Sequence, residues 1–345
     1  MTPKVVALAT VRDEAPYIVD WLGWLSAIGI EHAVVYENDS TDGTGRLLAA
    51  LAATGRVTYV PNGAGVPMAA ELRDLPPQRR AYARATRHPR VQGADWIFVH
   101  DVDELLELTW DGTVQGMIAR LGEPDVVSMP WRNMAGGDDR GPAPVWDRFP
   151  WATAPDAPSP VRSLRQVKSI FRPGVSRFYN LHKPRAFREG VRWVCPNGED
   201  IRARLRRTNT LEPFDYARAN LRHYHLRSPP EFAVKVVKGF ACTDLATRGQ
   251  LGMAMYDAWD LDDNFLPAGA TAAQAADHAA ALRSHPAVAA AERDARARHR
   301  HLQDLAAAAV ASCEALHEVT LRYRLAPQVA LHFETEVWQP MRVLD

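Results

Sequence analysis

Two aspartates, Asp101 and Asp103, come directly after a short apolar run, Trp96 to His100. In an extended chain, residues two apart point to the same side, and open α/β sheets bind ligands at the carboxyl ends of their strands. Carboxylates this close repel each other unless a cation lies between them, and Mg²⁺ or Mn²⁺ accepts carboxylate together with phosphate oxygens. The pair therefore indicates a divalent-metal site for a phosphate-bearing ligand, although a bare Asp-x-Asp pair is more often two solvated loop acids.

Histidine is the expected third ligand of such a metal ion. Two carboxylates leave coordination positions open, and neutral imidazole suits Mn²⁺ better than Mg²⁺. The candidates are His182 and His223, and His225 lies close enough to His223 to exchange roles with it. The competing interpretation is a buried histidine with a structural role. His100, on the opposite face of its strand, is expected in the core.

These side chains need a sheet to position them. From Lys4 to about Pro130, short apolar runs alternate with longer amphipathic ones, which is the pattern of a sheet covered by helices. The predicted fold class is therefore α/β, and Asp101 and Asp103 end its fourth strand. We predict strands at 5–9, 32–36, 57–60 and 96–100, and helices at 16–28, 46–53 and 78–87.

The pattern changes beyond residue 130. The stretch 135–160 is rich in Gly, Pro and Asp, which predicts a long loop over a site, and Gln166 to Phe171 predicts another core strand. From about Pro229 the sequence is helical, with one late strand candidate, Val329 to Val337. We divide the chain into a first domain, residues 1–240, and a mainly helical, Ala-rich C-terminal appendage, residues 241–345. The appendage either caps the first domain or pairs two copies in a homo-oligomer.

Composition excludes several classes of protein. The chain has 345 residues, of which 47% are hydrophobic, and its 41 basic residues equal its 41 acidic ones. A formal charge of zero gives no general attraction to nucleic acid. We expect no transmembrane segment and a cytoplasmic address, because the first apolar run is short and is followed by charges. Five Lys against 36 Arg, with many Ala, indicate a GC-rich genome, and we expect a bacterial source.

An ordered series of motifs resembles the family-2-like glycosyltransferases, in the branch related to glycosyltransferase family 92. The resemblance covers roughly residues 4 to 240 and implies a GT-A fold that binds a nucleotide-diphosphate sugar, with the Asp-x-Asp pair holding a metal on the donor diphosphate. It also implies transfer to a glycan or other hydroxyl acceptor. The matching segments are Ala9 to Glu14, Tyr36 to Thr44, Gln78 to Tyr82, Trp96 to Leu105, Trp131 to Asn133, Lys168 to Pro173, and His223 to Ser228 with Glu231, Phe232 and Lys235.

Carried over by position, the resemblance implies which residues contact the donor nucleotide. Asn38 pairs with a base edge but carries no charge, so the choice between a UDP and a GDP sugar stays open. Asp42 has an alternative role as a helix N-terminal acid. Arg79 suits the diphosphate, because its guanidinium binds phosphate through two hydrogen bonds, whereas we expect Arg80 and Arg84 to be solvated. The implied contacts are Thr10, Arg12, Glu14, Glu37, Asn38, Asp42, Gln78, Arg79 and Asp101.

The resemblance also bears on the metal ligands. His223 matches the His-Tyr position of the family, whereas His182 matches a looser His-x-Pro feature. The implied ligands are therefore Asp101, Asp103 and His223, and the implied ion is Mn²⁺ or Mg²⁺.

Inverting transfer also needs a carboxylate that deprotonates the acceptor. We favour Glu199 or Asp200 after a Pro-Asn-Gly turn, over Asp138 and Asp139 in the Gly-rich loop, and solvated acids are the alternative for both pairs. For the acceptor sugar, the aromatic faces of three tryptophans are candidates for stacking, although tryptophan is also common in cores. These are Trp131, Trp151 and Trp193.

Three other functions compete with this prediction. A phosphohydrolase of the haloacid dehalogenase type also has an Asp-x-Asp after a strand, but there the motif follows the first strand. A sugar nucleotidyltransferase needs a Gly-rich loop after strand one, and Thr10 to Asp13 contains no glycine. A nucleotide-sugar-binding module without turnover is the non-enzymatic alternative, and the retention of both aspartates argues against it.

Overall fold

Strands form in this chain where β-branched and aromatic residues run together, and helices form where apolar residues recur three and four positions apart. The computed structural model describes residues 2–138, 141–153, 166–205, 209, 211, 215–238, 256 and 264–324. The strands in these ranges are β1 (Val5–Val11), β2 (His32–Glu37), β3 (Val57–Pro61), β4 (Trp96–Val99), β5 (Glu104–Leu108), β6 (Val126–Asn133), β7 (Trp151–Ala152), β8 (Val167–Phe171), β9 (Ser176–Phe178), β10 (Arg185–Phe187), β11 (Trp193–Val194), β12 (Ala219–His223) and β13 (Asn264–Phe265). The helices are α1 (Ala15–Ala27), α2 (Thr44–Ala52), α3 (Ala70–Arg73), α4 (Pro77–Ala85), α5 (Pro89–Gln92), α6 (Val114–Arg120), α7 (Val145–Arg148), α8 (Arg202–Leu205), α9 (Pro229–Lys238), α10 (Ala270–Arg283) and α11 (Pro286–Arg324).

One large sheet organises the molecule, with the strand order β3-β2-β1-β4-β8-β6-β12-β5 and β11 beside β6. The four strands from β3 to β4 are parallel, so their carboxyl ends meet at one edge. Strand β8 is antiparallel to both β4 and β6, whereas β12 is parallel to β6 and antiparallel to β5. The predicted fold class, a mostly parallel mixed sheet covered by helices in the GT-A manner, is confirmed.

Helix α1 covers one face of this sheet and is buried on nearly every side. Its Trp21 donates to His100 Nε2 at 2.9 Å, and its Trp24 donates to the Leu106 carbonyl at 2.8 Å. Both contacts pair the polar atom of a large aromatic side chain, as burial requires. His100 is 1% exposed and is a core residue, as predicted. Helix α4 packs on the opposite face of the sheet, where Ala81, Tyr82 and others join a second apolar cluster.

The helices after residue 240 share the core of the first domain. Alanines of α10, with Leu282, belong to the same apolar cluster as α1. At the contact, a Cβ added to Gly23 would lie 2.3 Å from the Ala275 carbonyl oxygen, so only glycine allows this approach. The described C-terminal helices therefore cap α1. The expected boundary near residue 240 lies outside the described residues, and so does the strand candidate Val329 to Val337.

The structure differs from the sequence prediction in residues 135–160. The stretch 135–160 was expected to be one long loop, yet it contains the short helix α7 and the strand β7, because Val145, Trp146 and Ala152 pack into the core beside α1. None of the described helices has the length and apolar character to cross a bilayer.

Candidate active site

Asp103, His223 and His225 come together through the pairing of β12 with β5. His223 lies opposite Glu104 in this antiparallel register, and the amide of Tyr224 donates to the Asp103 carbonyl at 2.8 Å. One potential ligand atom from each of Asp103, His223 and His225 lies within 4.8 Å of the others. His223 Nε2 is 3.9 Å from Asp103 Oδ2. That distance is too long for a hydrogen bond and shorter than twice a typical metal–ligand bond of about 2.1 Å.

The protonation states of this group suit a metal ion. His223 Nδ1 lies 3.3 Å from Asn133 Oδ1, which only accepts, so Nδ1 carries the proton and the Nε2 lone pair is left on the other side of the ring. Burial lowers the pKa of His223 to about 3, against the opposing charge of Asp103, and burial also holds the pKa of His225 well below its usual value. Burial alone would raise the pKa of Asp103, but the charge of Lys235 brings it well below its ordinary value. Two neutral imidazoles and one carboxylate fit Mn²⁺ better than Mg²⁺.

Asp101 lies outside this group of three ligands. Its Oδ2 accepts from the ammonium of Lys168 at 2.7 Å, and Lys168 also lies 3.2 Å from Glu104. Gln78 Nε2 is 3.5 Å from the other oxygen of Asp101. Burial lowers the pKa of Lys168, but Asp101 and Glu104 outweigh it, so Lys168 remains charged. The two aspartates of the motif therefore contact different lysines, and the structure does not bring both to one ion.

Four buried or half-buried cations balance four carboxylates here. Lys235 Nζ is 2.5 Å from Asp103 Oδ2, and Lys238 Nζ is 2.7 Å from Glu14 Oε1. Arg227 lies 3.4 Å from Glu14 and 3.9 Å from Asp103. Glu14, Asp101, Asp103 and Glu104 thus face Lys168, Arg227, Lys235 and Lys238. The numbers match, but burial raises the pKa of Glu104 well above its ordinary value and also raises that of Asp101, so the carboxylates do not fully offset the four cations.

Arg227 is held in a backbone conformation that non-glycine residues rarely adopt. Its φ is 60°, its side chain is almost fully buried, and its guanidinium carbon lies 3.5 Å from the centre of the Tyr17 ring. The Arg227 carbonyl accepts from the Gly137 amide at 3.2 Å and from the Tyr256 hydroxyl at 2.9 Å. Such conformations persist only where the surroundings hold them, and they cluster at functional sites.

The loops that leave β1 and β2 are tied to each other by Asp13. Its Oδ1 accepts from the amides of Thr41 at 2.6 Å and Asp42 at 3.1 Å. This linkage sets the start of α1, so that Glu14 reaches Arg227 and Lys238. Two other predicted donor contacts lie nearby. Thr10, near the end of β1, is half-buried, and Arg12, which follows β1, is exposed.

Three predicted donor contacts after β2 are engaged with protein atoms instead. Asn38 donates to the Val11 carbonyl at 3.2 Å and accepts from Asn62 at 2.6 Å. Glu37 accepts from the Ser40 amide at 2.5 Å. Asp42 is 1% exposed, and both of its carboxylate oxygens have partners. Its Oδ1 accepts hydrogen bonds from the amide and the hydroxyl of Thr44. Its Oδ2 accepts from the Ala15 amide at 3.1 Å and lies 2.9 Å from His299 Nδ1. Asp42 therefore has the helix N-terminal role that was its alternative.

The arginines near α4 differ from their expected roles. Arg79 is exposed and has no hydrogen-bond or ion-pair partner in the described part of the chain, so its guanidinium is available to a ligand. Arg80 and Arg84 were expected to be solvated, and this was wrong. Arg80 donates to the Asn62 carbonyl at 2.6 Å, and Arg84 donates to the Pro61 carbonyl at 2.8 Å. Both arginines thus supply donors to backbone carbonyls at the end of β3.

Glu199 and Asp200 lie far from the metal-ligand group. Asp200 bridges to Val194, which pairs with Val127 near the start of β6, whereas His223 pairs with Asn133 at the end of that strand. Six positions along a strand correspond to about 20 Å. The Glu199 carboxylate is bound by Arg204 at 2.6 Å. The structure therefore does not bring either predicted base together with the site.

Asp138 is nearer to the site. It is exposed and follows Gly137, whose amide binds the Arg227 carbonyl. Its neighbour Asp139 lies outside the described residues.

The three candidate tryptophans have different surroundings. Trp131 is buried between His223, at 4.2 Å between ring centres, and His182, at 5.2 Å. Trp193 is 1% exposed and donates to Ser128, so it is a core residue. Trp151 is 45% exposed and lies beside Phe265. Only Trp151, of these three, presents its ring to solvent. His182 Nδ1 lies 3.2 Å from the Val167 carbonyl, and His182 is not part of the metal-ligand group.

The sequence analysis gave no role to the lysines of the site, although Lys168 and Lys235 lie in the motifs that carry the family resemblance. The chain has only five Lys among its 41 basic residues, and three of them, Lys168, Lys235 and Lys238, bind the acids of this site. In a chain that otherwise uses Arg, the scarcity of Lys is a second signal, because genome composition does not explain why these lysines meet at one site.

Comparison with known protein families matches residues 3–241 to glycosyltransferase family 92. The chain belongs to this family. It is therefore a glycosyltransferase, and the phosphohydrolase and nucleotidyltransferase alternatives are wrong.

Solved structures with similarity to this family 92 chain include TarS of S. aureus, residues 1–349, with 13% identity over 87% of this chain and 90% of that one and a TM-score of 0.35. A mycobacterial protein has 15% identity, coverage of 76% of each chain and a TM-score of 0.33. An active-site mutant of LgtC has 15% identity over 38% of this chain and 46% of that one, with a TM-score of 0.22. No curated protein sequence matches the chain.

Proposed function

We propose that this enzyme is a metal-dependent transferase that moves a sugar from a UDP or GDP sugar to a hydroxyl group of a glycan, with inversion at the anomeric carbon. The observation that carries the proposal is the group of Asp103, His223 and His225 beside Arg227 and Lys235. A carboxylate and two neutral imidazoles favour Mn²⁺, with Mg²⁺ as the alternative ion.

The donor is proposed to lie along the loops at the carboxyl ends of β1 and β4. Its nucleotide would contact the loop after β1, and its diphosphate would approach Arg79, whose side chain is exposed. Glu37, Asn38 and Asp42 are excluded as direct contacts in this proposal, since each is buried as well as paired with protein atoms, whereas Glu14 and Asp101 are partly exposed. The proposed donor contacts are Thr10, Arg12, Glu14, Gln78, Arg79 and Asp101.

The chemistry requires loss of the diphosphate from the anomeric carbon as the acceptor oxygen attacks it. Asp103, His223 and His225 would hold the metal ion, which would supply positive charge to the diphosphate oxygens. Arg227 and Lys235 add fixed positive charge at the same place, and their burial strengthens that interaction. The acceptor hydroxyl gives its proton to a carboxylate as its oxygen bonds to the anomeric carbon and the bond to the diphosphate breaks.

The metal site is tested by comparing two histidine variants. His223→Ala should weaken Mn²⁺ binding by at least about tenfold, since even groups that only orient metal ligands contribute that much. His182→Ala is the matched control, because His182 is also buried and touches Trp131 but is not in the ligand group. It should lower the melting temperature while Mn²⁺ affinity stays near that of the parent protein.

Isothermal titration of both variants with Mn²⁺, followed by UDP and GDP, gives these affinities. Unchanged Mn²⁺ affinity in folded His223→Ala would remove the metal-ligand assignment. Nucleotide binding that is equal with and without the ion would remove the metal from the donor site.

For the catalytic base we propose Asp138, in place of Glu199 and Asp200. It is an exposed carboxylate next to Gly137, which binds the Arg227 backbone. Asp138→Asn should lower the rate of sugar transfer by at least about a hundredfold, typical of losing a general base, while nucleotide affinity stays unchanged. Glu199→Gln is the control and should retain activity. If Glu199→Gln is inactive and Asp138→Asn is active, the base lies on the other segment.

A further inference from the structure

A cavity of about 320 Å³ lies between α1, the segment 141–146 and one face of α11. That volume is in the range of sites for small organic molecules. Asp101, Asp103, His223 and His225 do not line it. Tyr17 and Arg227 form the wall that it shares with the candidate active site, so the cavity lies behind that site.

The walls of the cavity divide into an apolar part and a basic part. Trp21, Val102, Leu105 and Trp146 supply the apolar surface. The basic part is one face of α11, where Arg296, His299, Arg300 and Gln303 line the cavity at helical spacing. A ligand with an apolar ring or chain and a polar end matches this division.

The acids in the cavity wall are already neutralised. Glu231 accepts both guanidinium hydrogen bonds of Arg148, at 3.0 and 2.7 Å. Asp20 lies 2.8 Å from Arg283 and 3.4 Å from Arg296. Arg300, in contrast, is exposed and makes no hydrogen bond or ion pair within the described ranges. The cavity therefore has surplus positive charge at its α11 face.

His299 gives the second indication of a ligand. His299 is fully buried, and its Nδ1 lies 2.9 Å from Asp42 Oδ2. Its other ring nitrogen, Nε2, is buried and has no hydrogen-bond partner among the residues that the structure describes. Leaving a buried polar atom unpaired costs on the order of 1 to 3 kcal/mol, so a native protein usually supplies a partner.

We propose that this cavity binds a small molecule with an apolar body and one oxyanion, a carboxylate or a phosphate, that contacts the His299 and Arg300 face of α11. The apolar body packs against Trp21 and Trp146. The site is separate from the donor-nucleotide site and does not depend on the function proposed above.

Isothermal titration of the full chain with phenyl phosphate, benzoate and inorganic phosphate in metal-free buffer tests the proposal. Phenyl phosphate or benzoate should bind one molecule per chain and more tightly than inorganic phosphate, because only the first two can use the apolar wall. Failure of both aromatic probes to bind at millimolar concentration overturns the proposal.

Two variants and one control locate the binding. Arg300→Gln should weaken binding by about tenfold, as expected for one lost charge-assisted hydrogen bond. Ala143→Trp should block binding, since Ala143 lines the cavity and is itself exposed. Arg298→Gln is the control, because Arg298 is exposed on the same helix and does not line the cavity.

The same titrations identify the oxyanion as a phosphate or a carboxylate, and they test whether the cavity is separate from the donor-nucleotide site. Preference for phenyl phosphate over benzoate identifies a phosphate ligand, and the reverse identifies a carboxylate. Equal weakening by Arg300→Gln and Arg298→Gln, or displacement of the probe by UDP or GDP, overturns the proposal.

Discussion

Asp103 shows how protein cations keep a buried carboxylate charged. Lys235 lies against its Oδ2, and Arg227 is within 3.9 Å. An ammonium is a compact point charge, whereas guanidinium is wide and planar, so the two are not interchangeable in a crowded site. The retention of Lys235 in an Arg-rich chain is consistent with this difference in shape.

Removing Lys235 should therefore make the fold depend on a metal ion. Lys235→Met leaves the Asp103 carboxylate short of positive charge, and breaking a buried pair in this way costs about 3 kcal/mol. Mn²⁺ should then raise the melting temperature of the variant more than that of the parent, because the ion replaces the lost charge. Melting curves with and without Mn²⁺ measure both effects. The exposed Lys4→Met serves as the control, and equal Mn²⁺ responses in all three proteins would show that Lys235 and the ion do not share Asp103.

At the scale of elements, α9 carries Lys235 and Lys238 into the site, and its start is fixed by Glu231. Ser228 precedes Pro229 and Pro230, and its amide donates to Glu231 Oε2 at 3.1 Å, which is one of the two hydrogen bonds of a capping box. The same carboxylate binds Arg148 of α7. Burial would raise the pKa of Glu231, but the hydrogen bonds and charge of Arg148 lower it to about 2.

This lowered pKa predicts how stability changes with pH. Because the folded-state pKa of Glu231 lies below the unfolded value, its contribution is complete above about pH 4.5 and is lost as the pH falls toward 2, on the order of 3 kcal/mol. Glu231→Gln should lower the melting temperature at neutral pH and flatten its fall over that acidic range. Melting temperatures from pH 7 to pH 2 test this, with the exposed Glu189→Gln as control. A slope for Glu231→Gln as steep as the parent's would contradict the assignment.

The sequence predicted best those helices and strands whose ends are marked by nearby residues. Helix α1 was predicted at 16–28 and is Ala15–Ala27, and β2 was predicted at 32–36 and is His32–Glu37, because periodicity and turn residues mark both ends. The grouping of His223 with Asp103 was also predicted, from the motif, and the structure brings the two side chains to 3.9 Å. The lysine partners of the site were not, since Lys235 reaches Asp103 across 132 positions and no local pattern records such a contact. The separation of Glu199 and Asp200 from His223 was not predictable for the same reason, because it depends on how β11 and β12 both align on β6.

At the scale of the whole molecule, the C-terminal helices are joined to the first domain by backbone contact. Gly23 of α1 faces Ala275 and Ala279 of α10, and a Cβ at Gly23 would lie 2.3 Å from one carbonyl oxygen. Small residues allow this separation, and the alanines of α10 then complete the apolar cluster around α1. The appendage that the sequence suggested is thus packed as part of one core within the described residues.

A shared core predicts one cooperative unfolding transition, and Gly23 is where that can be tested. Gly23→Val should force α10 away from α1 and destabilise the whole protein by about 2 to 3 kcal/mol, as overpacking does. Calorimetry should show a single transition that moves to lower temperature as a unit. Gly65→Ala is the control, because a Cβ at Gly65 would meet no atom within 4 Å. If the helices were instead an independent domain, Gly23→Val would split the melting curve in two, with the sheet unfolding near the parent's temperature.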